Sequence, residues 1–396
     1  MADLHIGGWR EPKMSILTIE AFKSAVDDCI EQQIDFLIIA GDLFNTSLPN
    51  IDYIKETVKL LKRLKDNNIP VYIVPGSHDY SPSGKSMLEV LEYADLLINV
   101  VKAKKLENDR MQLILTQEEK TGVKLTGMLG KKNMLEKSYY EALDYSNLEQ
   151  EKGFKIFIFH TALDELKPEE LANMDSSPIS LLPKRFDYYA GGHVHIINKI
   201  SLEGYKNVVY PGPLFPNSFS ELQKLNSGGY YIYNNENLEY KKVEIKQTLF
   251  VEINCSNKTP EQVNLDLQQE FKDKDVNNKI ILIRLKGKLK LGKLLDINIK
   301  EIMHSLYERE AYFVMKNTLA ITSSDFEDVK KDFKPEVLEE EIIKEHLGQT
   351  KVEGMDLTKE KELILNLINT LSNEKNEGET NTTYEERLLK DINLIN

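Results

Sequence analysis

From Ser15 to about Gln33, the apolar residues Ile16, Ile19, Phe22, Val26 and Ile30 recur at the spacing of an amphipathic helix. The compact apolar run Phe36 to Ala40 follows, closed by Gly41-Asp42, and reads as a buried parallel strand that delivers Asp42 at its carboxyl end. Ile51 to Lys65 predicts a second amphipathic helix, and Pro70 to Val74 a second strand ending in Pro75-Gly76-Ser77-His78-Asp79. Lys155 to Phe159 ends the same way at His160, and Phe186 to Ala190 ends at Gly191-Gly192-His193-Val194-His195. Alternating helix and strand is an α/β signature. In open α/β sheets ligands gather beyond the strand carboxyl ends, so these distant stretches can converge on one site.

The first unit extends to about residue 240, past the turn-rich Tyr210-Pro211-Gly212-Pro213 and the run Gly228 to Tyr233. From Thr248 to about Asp325, short apolar alternations enclose a helical stretch, Ile297 to Glu308, and predict a smaller α+β domain over 245–330. Beyond Lys334 the chain is acidic and helical in pattern, with a polar stretch from Ser372 to Thr383 before a last amphipathic segment. Residues 335–396 therefore read as a linker and helical docking element. No fixed-period repeat is present in the sequence.

A chain of 396 residues exceeds one ordinary core, which fits this division. Its 41% apolar and 29% charged residues exclude collagen-like and wholly disordered classes. With 64 acidic against 51 basic residues the formal charge is -13, which argues against indiscriminate nucleic-acid binding and leaves a local basic surface open. No run is long enough to span a membrane, and the opening MADLHIGG has neither a basic leader nor an apolar signal core, so a cytoplasmic protein is expected. Cys29 and Cys255 are too few for a disulfide scaffold or a cysteine zinc site. Any metal site must use nitrogen and oxygen.

Asp3 and His5, one residue apart, can face the same side of an extended segment. Asp42, His160, His193 and His195 add carboxylate and imidazole donors suited to manganese, iron or zinc more than to magnesium. Any one of these histidines alone reads as an ordinary structural residue; together they read as a dinuclear site in which Asp42 bridges two cations. Such a pair orients a water or hydroxide and stabilises charge on a phosphate, so the implied reaction is phosphoester hydrolysis. Gly41, Gly76, Gly191 and Gly192 let backbone pass close to the ions or form tight turns. His78 reads as a phosphate contact or proton donor if His160 and His193 fill the second ion's shell.

The motifs Asp3-Leu4-His5, Gly41-Asp42-Leu43-Phe44, Gly76-Ser77-His78-Asp79, His160 and Gly192-His193-Val194-His195 resemble those of the calcineurin-like metallophosphoesterase superfamily. With Pro211-Gly212-Pro213-Leu214-Phe215-Pro216, the chain resembles the archaeal-type SbcD-like nuclease subunits of the DNA double-strand-break repair nuclease and ATPase complex. The resemblance implies a four-layer α/β/β/α sandwich over 1–240, a DNA-capping domain over 245–330 and an ATPase-binding segment over 335–396. It implies two manganese ions, the first held by Asp3, His5, Asp42 and His195 and the second by Asp42, Ser77, His160 and His193. His78 would assist leaving-group protonation or phosphate positioning. The implied activity is 3'-5' exonuclease and single-stranded endonuclease. Three departures stand out: Ser77 replaces the usual Asn, which weakens the second ion's shell; Asn45 replaces a frequent His; and little of a first strand precedes Asp3. Either the start supplied lies too late, or Asp3 and His5 are held less rigidly than usual.

Arg284, Lys286, Lys288 and Lys290 recur at strand period with no acid from Lys279 through Lys293, so they form a candidate phosphate-binding ridge or a solvated strand face. Lys102, Lys104 and Lys105 are weaker candidates. Ile54, Val58, Leu61 and Leu64 form a stripe that packs on the sheet or, as the resemblance implies, contributes to a homodimer. Leu363, Ile364, Leu367, Ile368 and Leu371, then Tyr384, Leu388, Leu389 and Ile392, would dock on the coiled-coil, SMC-like repair ATPase that the resemblance implies. The leading expectation is a manganese-dependent nuclease acting on DNA ends. The alternatives are a small-molecule metallophosphodiesterase or phosphatase, which an enclosed pocket would favour, and a structural repair subunit whose catalysis has weakened at Ser77 and Asn45.

Overall fold

The computed structural model describes residues 1–81, 85–106, 110–131, 135–171, 174–234, 237–323 and 356–372, with 384, 387, 388 and 390. The chain divides into two compact units, one comprising Met1–Glu252, Gln269–Arg284 and Ile299–Asn317, the other Ile253–Gln268, Leu285–Asn298 and Thr318–Asn396.

In the first unit, helix α1 (Pro12–Glu31) starts on a proline, whose missing N–H costs nothing in the first turn, and buries Leu17, Ala21, Phe22 and Val26. Strand β1 (Leu37–Ala40) follows. Helix α2 (Ile51–Asp66) is capped by the Asn50 side chain, which accepts a hydrogen bond from the Asp52 N–H at 2.9 Å. Strand β2 (Val71–Val74), helix α3 (Met87–Tyr93) and strand β3 (Ile98–Asn99) complete a parallel sheet of order β1-β2-β3. An antiparallel pair, β4 (Ala103–Lys105) and β5 (Met111–Leu113), leads away from it.

A six-stranded mixed sheet follows, built from β6 (Thr116–Gln117), β7 (Lys124–Met128), β8 (Lys155–His160), β9 (Tyr188–Gly192), β10 (Ile197–Leu202) and β11 (Tyr205–Pro211) in the order β10-β11-β9-β8-β7-β6. Strands β7, β8, β9 and β11 run parallel, which brings His160 opposite Gly192 at the carboxyl end. The short helices α4 (Lys137–Glu141) and α5 (Ser146–Gln150) precede β8; α6 (Phe219–Leu225) and the antiparallel pair β12 (Gly228–Asn234) and β13 (Asn237–Val243) come after β11.

Three clusters of buried side chains explain the layering. Leu17 and Phe22 of α1 and Leu61 and Leu64 of α2 pack with Ile39 and Ile73 of the first sheet. Ala40 and Val74 of that sheet pack with Leu125, Ile158 and Ala190 of the second. Phe157, Phe159, Tyr189 and Tyr210 pack on its other face with Tyr140 of α4 and Leu148 of α5. Strand β8 is apolar on both faces because it is covered on both, which is why it reads as a continuous hydrophobic run. The packing reading of the α2 stripe holds for Leu61 and Leu64, both fully buried in this core and therefore closed to a second copy of the chain.

The remaining elements are β14 (Thr248–Asn254), α7 (Pro260–Lys272), β15 (Ile280–Leu289), α8 (Ile299–Glu308) and β16 (Phe313–Ser323), the three strands forming a sheet of order β14-β15-β16, and then helix α9 (Leu357–Leu371). Within the second unit Asn257 N and Cys255 N donate to Lys288 O and Lys286 O at 2.9 and 2.7 Å, and Lys258 pairs with Asp266 at 2.7 Å. Both cysteines are buried and free. Among the described residues no helix is long and apolar enough to cross a membrane. Of the expected docking residues, Leu389 and Ile392 lie outside the described residues, as do 335–355 and most of the polar stretch from Ser372 to Thr383.

Phe157 is fully buried with its ring 5.5 Å from that of Phe186. We expect Phe157→Ala to lower unfolding free energy by about 3–5 kcal/mol in urea denaturation; a change below ~1 kcal/mol would show that the second sheet is not closely packed on that face.

Candidate metal centre

The first ligand candidates ride on backbone paired with β1. Ala40 N donates to Met1 O at 2.9 Å, Asp3 N to Gly41 O at 3.1 Å, His5 N to Asp42 O at 3.0 Å and Ile6 N to Leu43 O at 3.1 Å. Asp3 and His5 are thus fixed by a ladder running through and beyond them, and the short lead before Asp3 does not leave them loose. Along this ladder Asp3, His5 and Asp42, and after β9 His193 and His195, all have positive φ, at 52°, 42°, 53°, 98° and 51°. Asp and His tolerate this region better than most residues.

Two glycines make the convergence sterically feasible. A Cβ on Gly41, itself at φ +86°, would lie 2.1 Å from His160 Nδ1. One on Gly192 would lie 2.1 Å from the Ala40 carbonyl oxygen. The expected strand Phe186 to Ala190 is observed two residues later, because Gly191 and Gly192 stay in the sheet.

The side chains meet in a buried cluster. His5 Nε2 lies 2.9 Å from His195 Nε2 and 3.5 Å from Asp42 Oδ2, while His160 Nε2 lies 3.2 Å from the same Asp42 oxygen. Asp3 Oδ1 stands 3.8 Å from His195 Nε2 and 4.0 Å from His160 Nδ1, and accepts a hydrogen bond from His193 N at 2.9 Å. Ligand atoms of three trios, Asp3 with His5 and His195, His5 with Asp42 and His78, and Asp3 with Asp42 and His160, each fall within 4.8 Å of one another. The His193 ring packs edge-on against His160, centroids 5.1 Å apart. Ser77 is buried in the turn before His78. His78 Nδ1 meets the Asn45 carbonyl oxygen at 2.8 Å, so Asn45 takes part through its backbone.

Two residues that sequence reasoning did not single out hold this frame. Asp79, fully buried, accepts from Leu43 N, Phe44 N and Gly76 N, each at 3.1 Å, and so ties the turn after β1 to the turn after β2. Burial and the Asp42 charge push its carboxyl up to about 7, against the pull of those three donors. Its signal in the sequence was its place at the end of Gly76-Ser77-His78-Asp79. Glu221, on α6, accepts from Asn217 N at 2.8 Å and faces His195 Nδ1 at 3.2 Å.

Electrostatics sort the histidines into two kinds. Burial and the neighbouring His195 hold His5 down at about 3, and burial with His160 does the same to His193. Burial also opposes charge on His160 and His195, but Asp42 and Asp3 raise the first to about 10, and Asp3 and Glu221 raise the second to about 9. Asp42 is held well below the ordinary carboxylate range: burial would raise it, yet His160, His5 and the His78 N–H outweigh that. The donor set fits divalent cations. His160 Nδ1 is engaged by the Ala40 carbonyl oxygen at 2.9 Å, whereas its Nε2 is buried without a hydrogen-bond partner among the described residues and lies 3.2 Å from a carboxylate oxygen. A divalent cation held by the His160 Nε2 lone pair and the Asp42 carboxylate would serve both groups in place of the proton that His160 otherwise binds.

The basic candidates divide between the units. Arg284 is half-buried in the first, its guanidinium over the rings of Phe219 and Phe250 at 5.4 and 5.8 Å. Lys286, Lys288 and Lys290 belong to the second unit and are exposed, as are Lys102, Lys104 and Lys105 in the first.

Residues 1–196 match the model of the calcineurin-like phosphoesterase family. The chain is 29% identical over 273 residues to the DNA double-strand break repair protein Mre11 of Archaeoglobus fulgidus, a match covering 64% of this chain and 60% of that protein. It is 25% identical over 313 residues to the protein of the same name from Saccharolobus solfataricus, covering 75% and 78%, and 27% identical over 366 residues to that of Sulfolobus acidocaldarius, covering 88% of each.

His195 protonates more readily in the fold than in the open chain, about 9 against 6.5, so its stabilising contribution is complete below pH 6.5 and is lost as pH rises through 9. Thermal unfolding in chelator should therefore show wild type above His195→Gln at pH 6, with the gap closing by pH 10; a gap that widens with pH would contradict this charge arrangement.

Proposed function

Residues 1–196 of this chain belong to the calcineurin-like phosphoesterase family, and from that premise we propose a DNA end-processing nuclease of double-strand break repair that hydrolyses phosphodiester bonds as both exonuclease and endonuclease. The observation that carries the reading is the convergence of buried Asp3, His5, Asp42 and His160 with the partly exposed His195 and His78. Asp3, His5, Asp42 and His195 would hold one divalent ion, and Asp42, Ser77, His160 and His193 the second, manganese being the metal we assign. When bound, such a pair supplies a hydroxide nucleophile and stabilises charge on a phosphoryl group.

The chain's own groups do the rest. Asp42, its other oxygen Oδ1 accepting the His78 N–H at 2.8 Å, couples the bridging position to the residue that meets the leaving group. In this reading His78, whose Nδ1 meets the Asn45 carbonyl oxygen, would contact the phosphate or protonate the departing oxygen, an action of general-acid type. We assign 3'-5' polarity to the exonuclease. Lys286, Lys288 and Lys290 offer phosphate contacts that position DNA without reading bases. We further assign a nuclease domain to 1–240, a DNA-capping domain to 245–330 and an ATPase-docking segment to 335–396, with α9 as its described part, and a homodimer as the working assembly.

A small-molecule phosphodiesterase is less well supported. A cavity of about 650 Å³, lined among others by Phe36, Ile38, Tyr188 and Tyr230, includes none of the ligand candidates in its wall. The weakened-subunit reading draws only on Ser77 and on the absence of a His at 45, and the Asn45 backbone already serves His78.

The test is a time course on linear duplex, hairpin and single-stranded DNA with Mn²⁺ or Mg²⁺. Wild type should cleave, Asp42→Ala should not, and His78→Ala should be slower by about 10²–10⁴-fold. Replacing Lys286, Lys288 and Lys290 by Ala should flatten the salt dependence of duplex binding by roughly 2–3 in log–log slope. Folded wild type inactive on every substrate, alone and with its ATPase, would overturn the nuclease reading.

A further inference from the structure

The histidines around the centre are steered by different acceptors. His160 Nδ1 and His78 Nδ1 each meet a neutral backbone carbonyl, of Ala40 and of Asn45, at 2.9 and 2.8 Å. His5 Nδ1 is buried with no partner among the described residues. His195 Nδ1 alone of these four has a carboxylate oxygen within hydrogen-bond distance, Glu221 Oε1 at 3.2 Å, the Asp3 Oδ1 near His160 Nδ1 standing off at 4.0 Å.

Glu221 is itself firmly set. Ser218-Phe219-Ser220-Glu221 has the spacing of a capping box, in which the acid of the first turn folds back on the N-cap residue's own N–H. Half of that arrangement is present: Glu221 N donates to Ser218 Oγ at 3.2 Å. The carboxylate departs from it, Oε2 accepting from Asn217 N at 2.8 Å and leaving Oε1 for His195. Leu222 beside it is fully buried and anchors the helix. Burial would raise the Glu221 carboxyl, but the hydrogen bond and charge of His195, with the Asn217 and Ser218 contacts, bring it below its ordinary value.

We propose that Glu221 is a positioning residue for the ion assigned to Asp3, His5, Asp42 and His195: by accepting the Nδ1 proton of His195 it fixes the ring and leaves the Nε2 lone pair facing Asp3 and His5. The proposal rests on the metal reading above and adds a residue to it. A carboxylate behind a ligating imidazole fixes its tautomer and increases its basicity, so its loss weakens the ion held by that imidazole. The acceptor at His160 Nδ1 is the Ala40 carbonyl oxygen at 2.9 Å, and the second ion is predicted to be indifferent to Glu221.

The experiment is Mn²⁺ binding to the full chain without DNA, followed by equilibrium dialysis and by loss of the free-ion electron-paramagnetic signal. The variants are Glu221→Ala, Glu221→Gln, Ser218→Ala and His195→Gln. Glu221→Ala should weaken one ion by about 10–100-fold and leave the other unchanged. Glu221→Gln keeps a neutral acceptor and should fall between Ala and wild type. Ser218→Ala removes the helix cap and one contact of the Glu221 carboxylate but keeps the carboxylate itself, so it should lower the melting temperature and weaken the ion far less than Glu221→Ala does. Wild-type affinities in a folded Glu221→Ala protein, with His195→Gln losing one ion, would overturn the role of Glu221 and leave the metal reading standing. Equal weakening by Ser218→Ala and Glu221→Ala would show that α6 packing, not the carboxylate, sets the site. Wild type that binds no Mn²⁺ would overturn both readings.

Discussion

Five of the side chains at the centre leave the backbone at positive φ: Asp3, His5, Asp42, His193 and His195. Residues held in this region ordinarily cost about 1–3 kcal/mol each, less for Asp and His, and persist only where the surroundings over-determine them. Here the surroundings are the ladder from Met1 to Ile6 along β1 and its turn, the three N–H groups gathered by Asp79, and the parallel pairing of β8 with β9. Straightening any of these turns would swing its side chain out of the cluster. The two sheets and the helices that cover them serve chiefly to hold these turns against one another.

That arrangement places Asp3, Asp42 and Asp79 out of water alongside His5 and His160. Buried charge is costly unless it is compensated. Within the protein alone the compensation is partial: His160 and His195 carry raised proton affinity, Asp79 is pushed toward its neutral form, and His160 Nε2 and His5 Nδ1 find no hydrogen-bond partner among the described residues. Divalent cations resolve most of these conflicts together, since they neutralise carboxylates and use imidazole lone pairs. The net charge of -13 has little to do with this balance, which is settled over a few ångströms.

Much of this was legible in the sequence because the centre is built at strand ends. Phe36 to Ala40 and Lys155 to Phe159 are apolar runs broken by Gly-Asp and by His, and both are strands that deliver those residues. The boundary at Tyr188–Gly192 was displaced because Gly191 and Gly192 read as a turn yet continue the sheet; their lack of side chains serves close approach, not chain reversal. Glu221 was missed because its contact with His195 spans 26 residues of sequence and its local pattern is that of a helix cap. The setting of Arg284 was hidden for a similar reason: strand period places a cation on a face but does not reveal the rings of Phe219 and Phe250 against it. Strands of two or three residues, such as β3 and β6, carry too little pattern to be read at all.

The central claim is that these turns assemble one centre for a pair of divalent ions bridged by Asp42. The most direct test is the number of Mn²⁺ ions retained per folded chain, measured by mass spectrometry of the intact protein under native conditions, for wild type and Asp42→Asn. The account predicts two ions for wild type and the loss of at least one on removing the bridging charge. Wild type retaining none, or Asp42→Asn retaining the wild-type number with unchanged affinity, would contradict it.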